Sequence, residues 1–275
     1  MNNINTFKVA VIDMNNGFPN QGLRGILEIL HRYKTYNQLN LSVTIFDIRQ
    51  KGEVPDLSYH IYISSGGPGS PHESEGQQWE RNFFNLLDSI DDFNLVNNHK
   101  KYVFLICHSF QLACIKYNLG QVTQRKSNSF GIFPISLTEQ GENEPIFRNL
   151  PNPFFAVDSR DWQVIMPNQS AFDKMGAKLL AIEKERPHVD LERCMMAIRF
   201  SPYVAGTQFH PEADPVGMKT YLSLEEKKNI IIKNYGEEKY HDMIDSLENP
   251  KRIMITQSII LPNFLDEAIH ALQAV

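Results

Sequence analysis

The stretch Lys101 to Ala113 reads KYVFLICHSFQLA. Tyr102 to Ile106 is an apolar, β-leaning run, and Ser109 to Asn118 has the spacing of a helix. Cys107 stands at the seam. A strand that passes directly into a helix is the repeating step of an α/β sheet, and such sheets gather reactive groups at the C-terminal ends of their strands. A thiol on so tight a turn projects above the sheet edge. The helix that follows offers free amides and a positive dipole end, and both favour the thiolate, the reactive form. The amide of His108, next in the chain, would then point at an anionic tetrahedral intermediate. On these residues alone, Cys107 also suits a small buried apolar side chain.

The same alternation extends outward. Phe7 to Asp13 (FKVAVID), Leu41 to Ile48 (LSVTIFDI) and Tyr59 to Ser64 (YHIYIS) read as strands. Gly22 to Tyr33 is helical in pattern, with Leu23, Ile26, Leu27 and Leu30 on one face. So is Glu75 to Val96, with Trp79, Phe83, Leu86 and Leu87 in register. The helix after Cys107 stops at Gly120. The expectation is an α/β fold: a mostly parallel central sheet with helices on both faces. Gln121 to Thr123, Gly131 to Leu137, Phe154 to Val157, Lys178 to Glu183 and Met195 to Phe200 predict short strands and a small antiparallel addition. From about Val216 the pattern is helical, with a break near Asn249-Pro250 and a last amphipathic helix from about Pro262. Two units are expected: residues 1–215, and a helical C-terminal extension, 216–275, packed on them. Ile230, Ile231, Ile259 and Leu261 would serve that packing or form a partner surface.

Composition narrows the function. The chain has 275 residues, 42% apolar and 21% charged, with a formal charge of −5. No basic cluster stands out, which argues against nucleic acid as a partner. No apolar run approaches the roughly 20 residues that cross a bilayer, and Met1 to Phe7 does not read as a secretory signal. Three cysteines, Cys107, Cys114 and Cys194, are an odd number; free thiols suit a reducing cytoplasm, where the protein is expected. They lack metal-ligand spacing, so no metal is expected.

A thiol nucleophile needs an imidazole to carry a proton and a group to orient that imidazole. Among nine histidines, His31, His99, His241 and His270 lie among polar residues. His60 precedes a glycine-rich loop, and His72 and His188 sit in loops. His210 differs. It follows the apolar run YVAGTQF, and Pro211 ends the strand there. Glu212, two residues on, can reach back to the second ring nitrogen. So short a pattern also fits a solvated histidine at a strand end. The third element, SSGGPGSPHE (Ser64 to Glu73), leaves backbone amides unobstructed. No Gly-Lys-Ser/Thr follows, which disfavours a nucleotide loop. It reads as a plain turn or as an oxyanion donor through the Gly67 amide.

The order of these pieces resembles the class I glutamine amidotransferase domain, the Cys-His-Glu type found in GMP synthetase and its stand-alone relatives. The matching stretches are SSGGPGSP (64–71), VFLICHSFQLA (103–113), LGQV (119–122), SFGIFPISL (129–137) and AGTQFHPEAD (205–214), with FPNQGLRGI near the N-terminus also similar. The resemblance covers about Phe7 to Pro215. It implies that Cys107 attacks a glutamine amide, His210 serves as base and acid, and Glu212 orients His210. It assigns the oxyanion amides to Gly67 and His108. Gln111 would help hold the substrate, and the main chain at Ser129, Phe130 and Gly131 would meet its α-amino and carboxylate groups. No cofactor is implied.

The family elbow usually reads Gly-x-Cys-x-Gly-His-Gln; here Leu105 and Ser109 replace both glycines, and Phe110 the histidine. Arg160 stands where the family has histidine after Ser159. The implied function is hydrolysis of glutamine, or of a related γ-glutamyl compound, through a cysteine thioester. Its ammonia would go to a separate synthase subunit, or the enzyme would act alone, since no ATP-binding loop is evident in the chain. A γ-glutamyl peptidase or acyl-transfer enzyme, or an inactive regulatory or binding member, remains an alternative reading.

Overall fold

The computed structural model describes residues 4–18, 21–186, 192–248 and 251–274. The expected break at Asn249-Pro250, His188 and part of the FPNQGLRGI stretch lie outside the described residues.

The first strand, β1 (Phe7–Asp13), leads through helix α1 (Gln21–Tyr36) to β2 (Leu41–Asp47) and β3 (Ile61–Ser64). Helix α2 (Gln78–Val96) returns the chain to β4 (Tyr102–Ile106), which turns at Cys107 into α3 (His108–Lys116). Then come β5 (Gln121–Leu137), the short α4 (Glu139–Glu142), β6 (Phe154–Ile165), α5 (Gln169–Met175), β7 (Lys178–Glu183), β8 (Met195–Ser201) and β9 (Val204–Thr207). Helices α6 (Pro215–Leu222), α7 (Glu225–Tyr235), α8 (Glu237–Glu248) and α9 (Lys251–Ala274) complete the chain.

The nine strands of the described residues join one sheet in the order β2-β1-β3-β4-β9-β8-β7-β5-β6. The part from β2 to β9 is parallel, and the part from β9 to β6 is antiparallel. The parallel strands β3 and β4 are buried on both faces, as continuous apolar runs require. The antiparallel part is larger than the short strands suggest. Gln121–Thr123 and Gly131–Leu137 are two ends of one strand, β5, with a register shift between Gln124 and Ser129. The polar residues Arg125 to Asn128 hide that continuity in the sequence, because an irregular register breaks the period-2 pattern. Phe154–Val157 likewise extends to Ile165.

Each face of the sheet carries its own core. On one, α1 and α9 cover Val9, Val11, Ile63, Phe104 and Ala205. The Phe264 ring of α9 meets Phe104 edge-on at 5.1 Å. On the other, Trp79, Phe83 and Leu87 of α2 and Phe110 and Leu112 of α3 cover Tyr62, Val103 and Leu105. A smaller cluster joins Met218, Leu222, Ile231, Tyr240 and Leu247 of α6–α8 to Val157 of β6. The last helix does not begin near Pro262; it runs from Lys251 straight through it. Ile260, Leu261, Phe264 and Leu265, on both sides of the proline, are fully buried. Tertiary burial of this kind holds a helix together across the backbone hydrogen bond a proline removes. Among the described residues, no helix is long and apolar enough to cross a membrane.

Candidate active site

The sheet order brings the three sequence signals together. The strands β3, β4 and β9 are adjacent and parallel, so the glycine loop, Cys107 and the histidine segment leave the sheet side by side at one edge. The ladder between β4 and β9 continues one step past the strands: the Cys107 N–H donates to the Thr207 carbonyl at 2.8 Å. Beyond Thr207 the chain crosses to β6, where the His210 N–H donates to the Val157 carbonyl at 2.8 Å. The outermost strand of the sheet thus curls back over the site.

Cys107 has φ 51° and ψ −100°, a conformation that L-residues rarely adopt and that marks functional turns. The side chain of Ser109 stabilises the turn. Its hydroxyl accepts from the Ile106 N–H at 2.9 Å and lies 3.1 Å from the Ser64 carbonyl and 3.0 Å from that of Ile106. The elbow is therefore tied to the strand that leads into the glycine loop. His108 is the first residue of α3, where backbone N–H groups have no acceptor within the helix. Its ring is buried, and Nε2 has no hydrogen-bond partner among the described residues. Burial, with a contribution from the Arg49 charge, pushes its pKa down to about 3, so the imidazole is neutral.

The imidazole of His210 lies between two groups. Its Nδ1 is 2.8 Å from Oε1 of Glu212, and the ring lies close to Cys107, near enough that a Cβ at Gly66 would touch both. Burial disfavours the imidazolium, but the Glu212 carboxylate and the Cys107 sulfur outweigh it, and the pKa lies well above the ordinary histidine value. Glu212 is buried, with Oε2 unpartnered among the described residues. Its backbone carbonyl packs so tightly on α1 that a Cβ at Gly25 would lie 2.3 Å from it. The side chain of Asp214, two residues on, caps α6 through the Gly217 N–H and pairs with Arg24.

In the glycine loop, a Cβ on Gly66 would lie 2.9 Å from Cε1 of His210 and 3.3 Å from Cβ of Cys107. Glycine here is what lets His210 and Cys107 approach the loop. Gly67 is pressed against the Met14 carbonyl, 2.4 Å from where its Cβ would be. The Gly66 carbonyl accepts from the Asn15 side chain at 3.0 Å, and the Ser65 hydroxyl accepts from the Met14 N–H at 3.0 Å. Arg49, held over the Trp79 ring at 4.7 Å, donates to the Met14 and Pro68 carbonyls at 3.1 and 2.8 Å. Sequence reasoning missed Asn15 and Arg49, because no local pattern distinguishes a loop-pinning side chain from a surface one.

The remaining residues lie around this centre. The Gln111 side chain donates to the Trp162 carbonyl at 3.2 Å and to Oε1 of Gln208 at 3.1 Å. Ser129, Phe130 and Gly131 pair with Arg160, Ser159 and Asp158 across β6. Of these partners, the Ser159 carbonyl lies 3.8 Å from Sγ of Cys107. The Ser129 hydroxyl donates to Asp158 at 2.7 Å, and the Phe130 ring packs on Tyr221. Cys114 and Cys194 are buried away from water, which raises both thiols, Cys194 to about 12.

A family model, glutamine amidotransferase class-I, matches residues 25–227. The chain belongs to this family. Among solved structures it resembles a glutamine amidotransferase from Thermotoga maritima, with a TM-score of 0.68 at 15% identity over 96% of this chain and 98% of that one. A glutamine amido transferase from Methylobacillus flagellatus gives 0.63 at 12% identity, covering 94% of each chain. The glutaminase domain of Trypanosoma brucei CTPS, solved with bound acivicin, gives 0.54 at 13% identity over 75% of this chain and 86% of that one. At these identities the likeness is one of fold. No curated protein matches the sequence.

The departures from the family's elbow pattern are absorbed locally. Leu105 is fully buried and faces Gly206 of β9, where a Cβ would lie 3.0 Å from that of Leu105. Ser109 replaces glycine with a hydroxyl that finds partners on both sides of the turn. Arg160, in place of histidine, is buried and paired with Asp158 at 2.8 Å and Glu183 at 3.3 Å.

Proposed function

We propose that this protein hydrolyses the side-chain amide of glutamine, or of a related γ-glutamyl compound, through a thioester on Cys107. The observation that carries the reading is the His210 imidazole, bonded at Nδ1 to the buried Glu212 carboxylate and so close to Cys107 that a single Cβ at Gly66 would touch both. The Cys107 thiolate adds to the amide carbon while His210 holds the proton. The oxyanion is received by the amides of Gly67 and His108. His210 gives its proton to the departing ammonia, and the carbonyl re-forms as a thioester. Water then attacks, His210 takes its proton, and the carboxylate product leaves as the proton returns to sulfur. Gln111 and the main chain at Ser129, Phe130 and Gly131 hold the rest of the substrate. In this reading residues 1–215 carry the chemistry and 216–275 pack on them. Ammonia passes to a separate acceptor enzyme, and the setting is cytoplasmic.

The test measures ammonia and glutamate released from glutamine, beside amine release from a panel of γ-glutamyl amides. Cys107→Ala is expected to abolish turnover, by at least about 10³-fold, with an unchanged circular dichroism spectrum. A Cys107→Ala protein that turns over at the wild-type rate removes the assignment. Release of amine or peptide but no ammonia moves the substrate to the γ-glutamyl peptides on the same scaffold.

A further inference from the structure

A polar side chain sits at the end of β9 inside an otherwise apolar run. Gln208 is fully buried, and its N–H is fixed to β8 by a 2.8 Å bond to the Met196 carbonyl. Its side-chain Nε2 lies 3.7 Å from Sγ of Cys107, and its Oε1 lies 3.1 Å from Nε2 of Gln111. Turning an amide over would exchange donor and acceptor, so the surrounding bonds decide its orientation. The Trp162 carbonyl, 3.2 Å from Gln111, can only accept. The Gln111 atom facing it is therefore the NH₂ group. That NH₂ also faces Gln208 and requires an oxygen there, which leaves the Gln208 NH₂ facing sulfur. One backbone carbonyl thus sets the polarity of two buried amides in series.

The sulfur has an acceptor on another side, the Ser159 carbonyl at 3.8 Å. A thiol can donate to that carbonyl; a thiolate cannot. Once the proton has moved to His210, the Gln208 N–H remains as a donor, and bonds to an ionised acceptor are about twice as strong as neutral ones. We propose that Gln208 is a catalytic group that stabilises the Cys107 thiolate, held donor-first by Gln111 and the Trp162 carbonyl. The proposal rests on Cys107 being the nucleophile.

The experiment follows iodoacetamide alkylation of Cys107 against pH in the full chain, with Cys107→Ala as the blank for Cys114 and Cys194. Gln208→Met removes the donor and is expected to slow alkylation at pH 7 about 3- to 10-fold and move its midpoint upward. Gln208→Glu keeps an acceptor for Gln111 but turns an oxygen to sulfur, and should slow it more than about 10-fold. Gln111→Met frees Gln208 to turn over and should give a smaller shift in the same direction. A purely structural role would lower the melting temperature and leave the alkylation midpoint in place. An unmoved midpoint in the folded variants overturns the proposal; if one Gln208 variant does not fold, the other and Gln111→Met decide it. Alkylation reports the sulfur alone, whereas the nucleophile assignment is read from turnover in Cys107→Ala. Each can therefore fail while the other stands.

Discussion

The elbow, Ile106 to Gln111, and the strand end, His210 to Asp214, meet at one point but are held there differently. The elbow is fixed by backbone and burial. Cys107 takes a positive φ, Ser109 bonds on both sides of the turn, and the His108 ring is enclosed and neutral. The strand end is fixed by charge. Glu212 faces His210, Asp214 pairs with Arg24, and the imidazole is driven toward its protonated form. The two histidines depart from the ordinary value in opposite directions. The contrast teaches that the two regions answer to different perturbations: the elbow to sterics, the strand end to electrostatics.

The largest expected effect comes from breaking the contact between the two regions. Gly66→Ala places a methyl 2.9 Å from the His210 ring and should lower kcat/KM about 10²-fold or more, since a misplacement near 1 Å costs that much. Full activity in this variant would show that the close approach is not needed. Next, Glu212→Gln removes the charge and keeps the shape. Activity should fall by about 10- to 100-fold, and the His210 titration, followed by NMR, should move down. Because the folded pKa is raised, this group's stabilising contribution is complete below about pH 6.5 and is lost as pH climbs through the folded pKa. Glu212→Gln should diminish that contribution; an unmoved titration would mean that Glu212 does not set the charge.

Smaller effects test the elbow. Ser109→Ala leaves the Ile106 N–H without its acceptor and should cost about 1–3 kcal/mol in urea unfolding; an unchanged midpoint would remove the hydroxyl from the account of the turn. The gentlest is His108→Leu. With a folded pKa near 3, His108 contributes its stability fully above about pH 6.5 and loses it as pH falls toward 3. His60, lowered to about 4 mainly by burial, acts in the same window. From pH 7.5 to 6 the His108 share is under about 1 kcal/mol. His108→Leu should flatten the acid side of the stability curve by one proton, and an identical slope would show that the ring titrates normally.

The parallel half of the fold was legible because buried parallel strands read as near-continuous apolar runs, such as YVFLI and, apart from the exposed Lys8 and the final Asp13, FKVAVID. The antiparallel half was only partly so. Arg125 to Asn128 interrupt the pattern where the register shifts, and one long strand reads as two. Pro262 suggested a helix start because local propensity says nothing of Ile260 and Phe264, whose burial overrides it. At the site, the junctions alone left Cys107, His210 and Glu212 open to plainer readings; the order of the three segments singled them out, and the sheet brings them together. Gln208 carried a signal too, a polar residue within YVAGTQF, but its meaning depends on Gln111 and Trp162, which only the sheet brings near. Asn15 and Arg49 had no signal, since their bonds run to backbone atoms of a distant loop.

The position of β9 has a consequence for synthesis. This strand lies between β4 and β8, yet it follows both of them in the order of synthesis, after every other described strand. Until residues 204–207 emerge, the strand that precedes the thiol shows a bare flank and has no imidazole beside it. A nascent chain stalled before that point would present an open strand edge. One late insertion fills the gap in the sheet and carries the imidazole to the sulfur together.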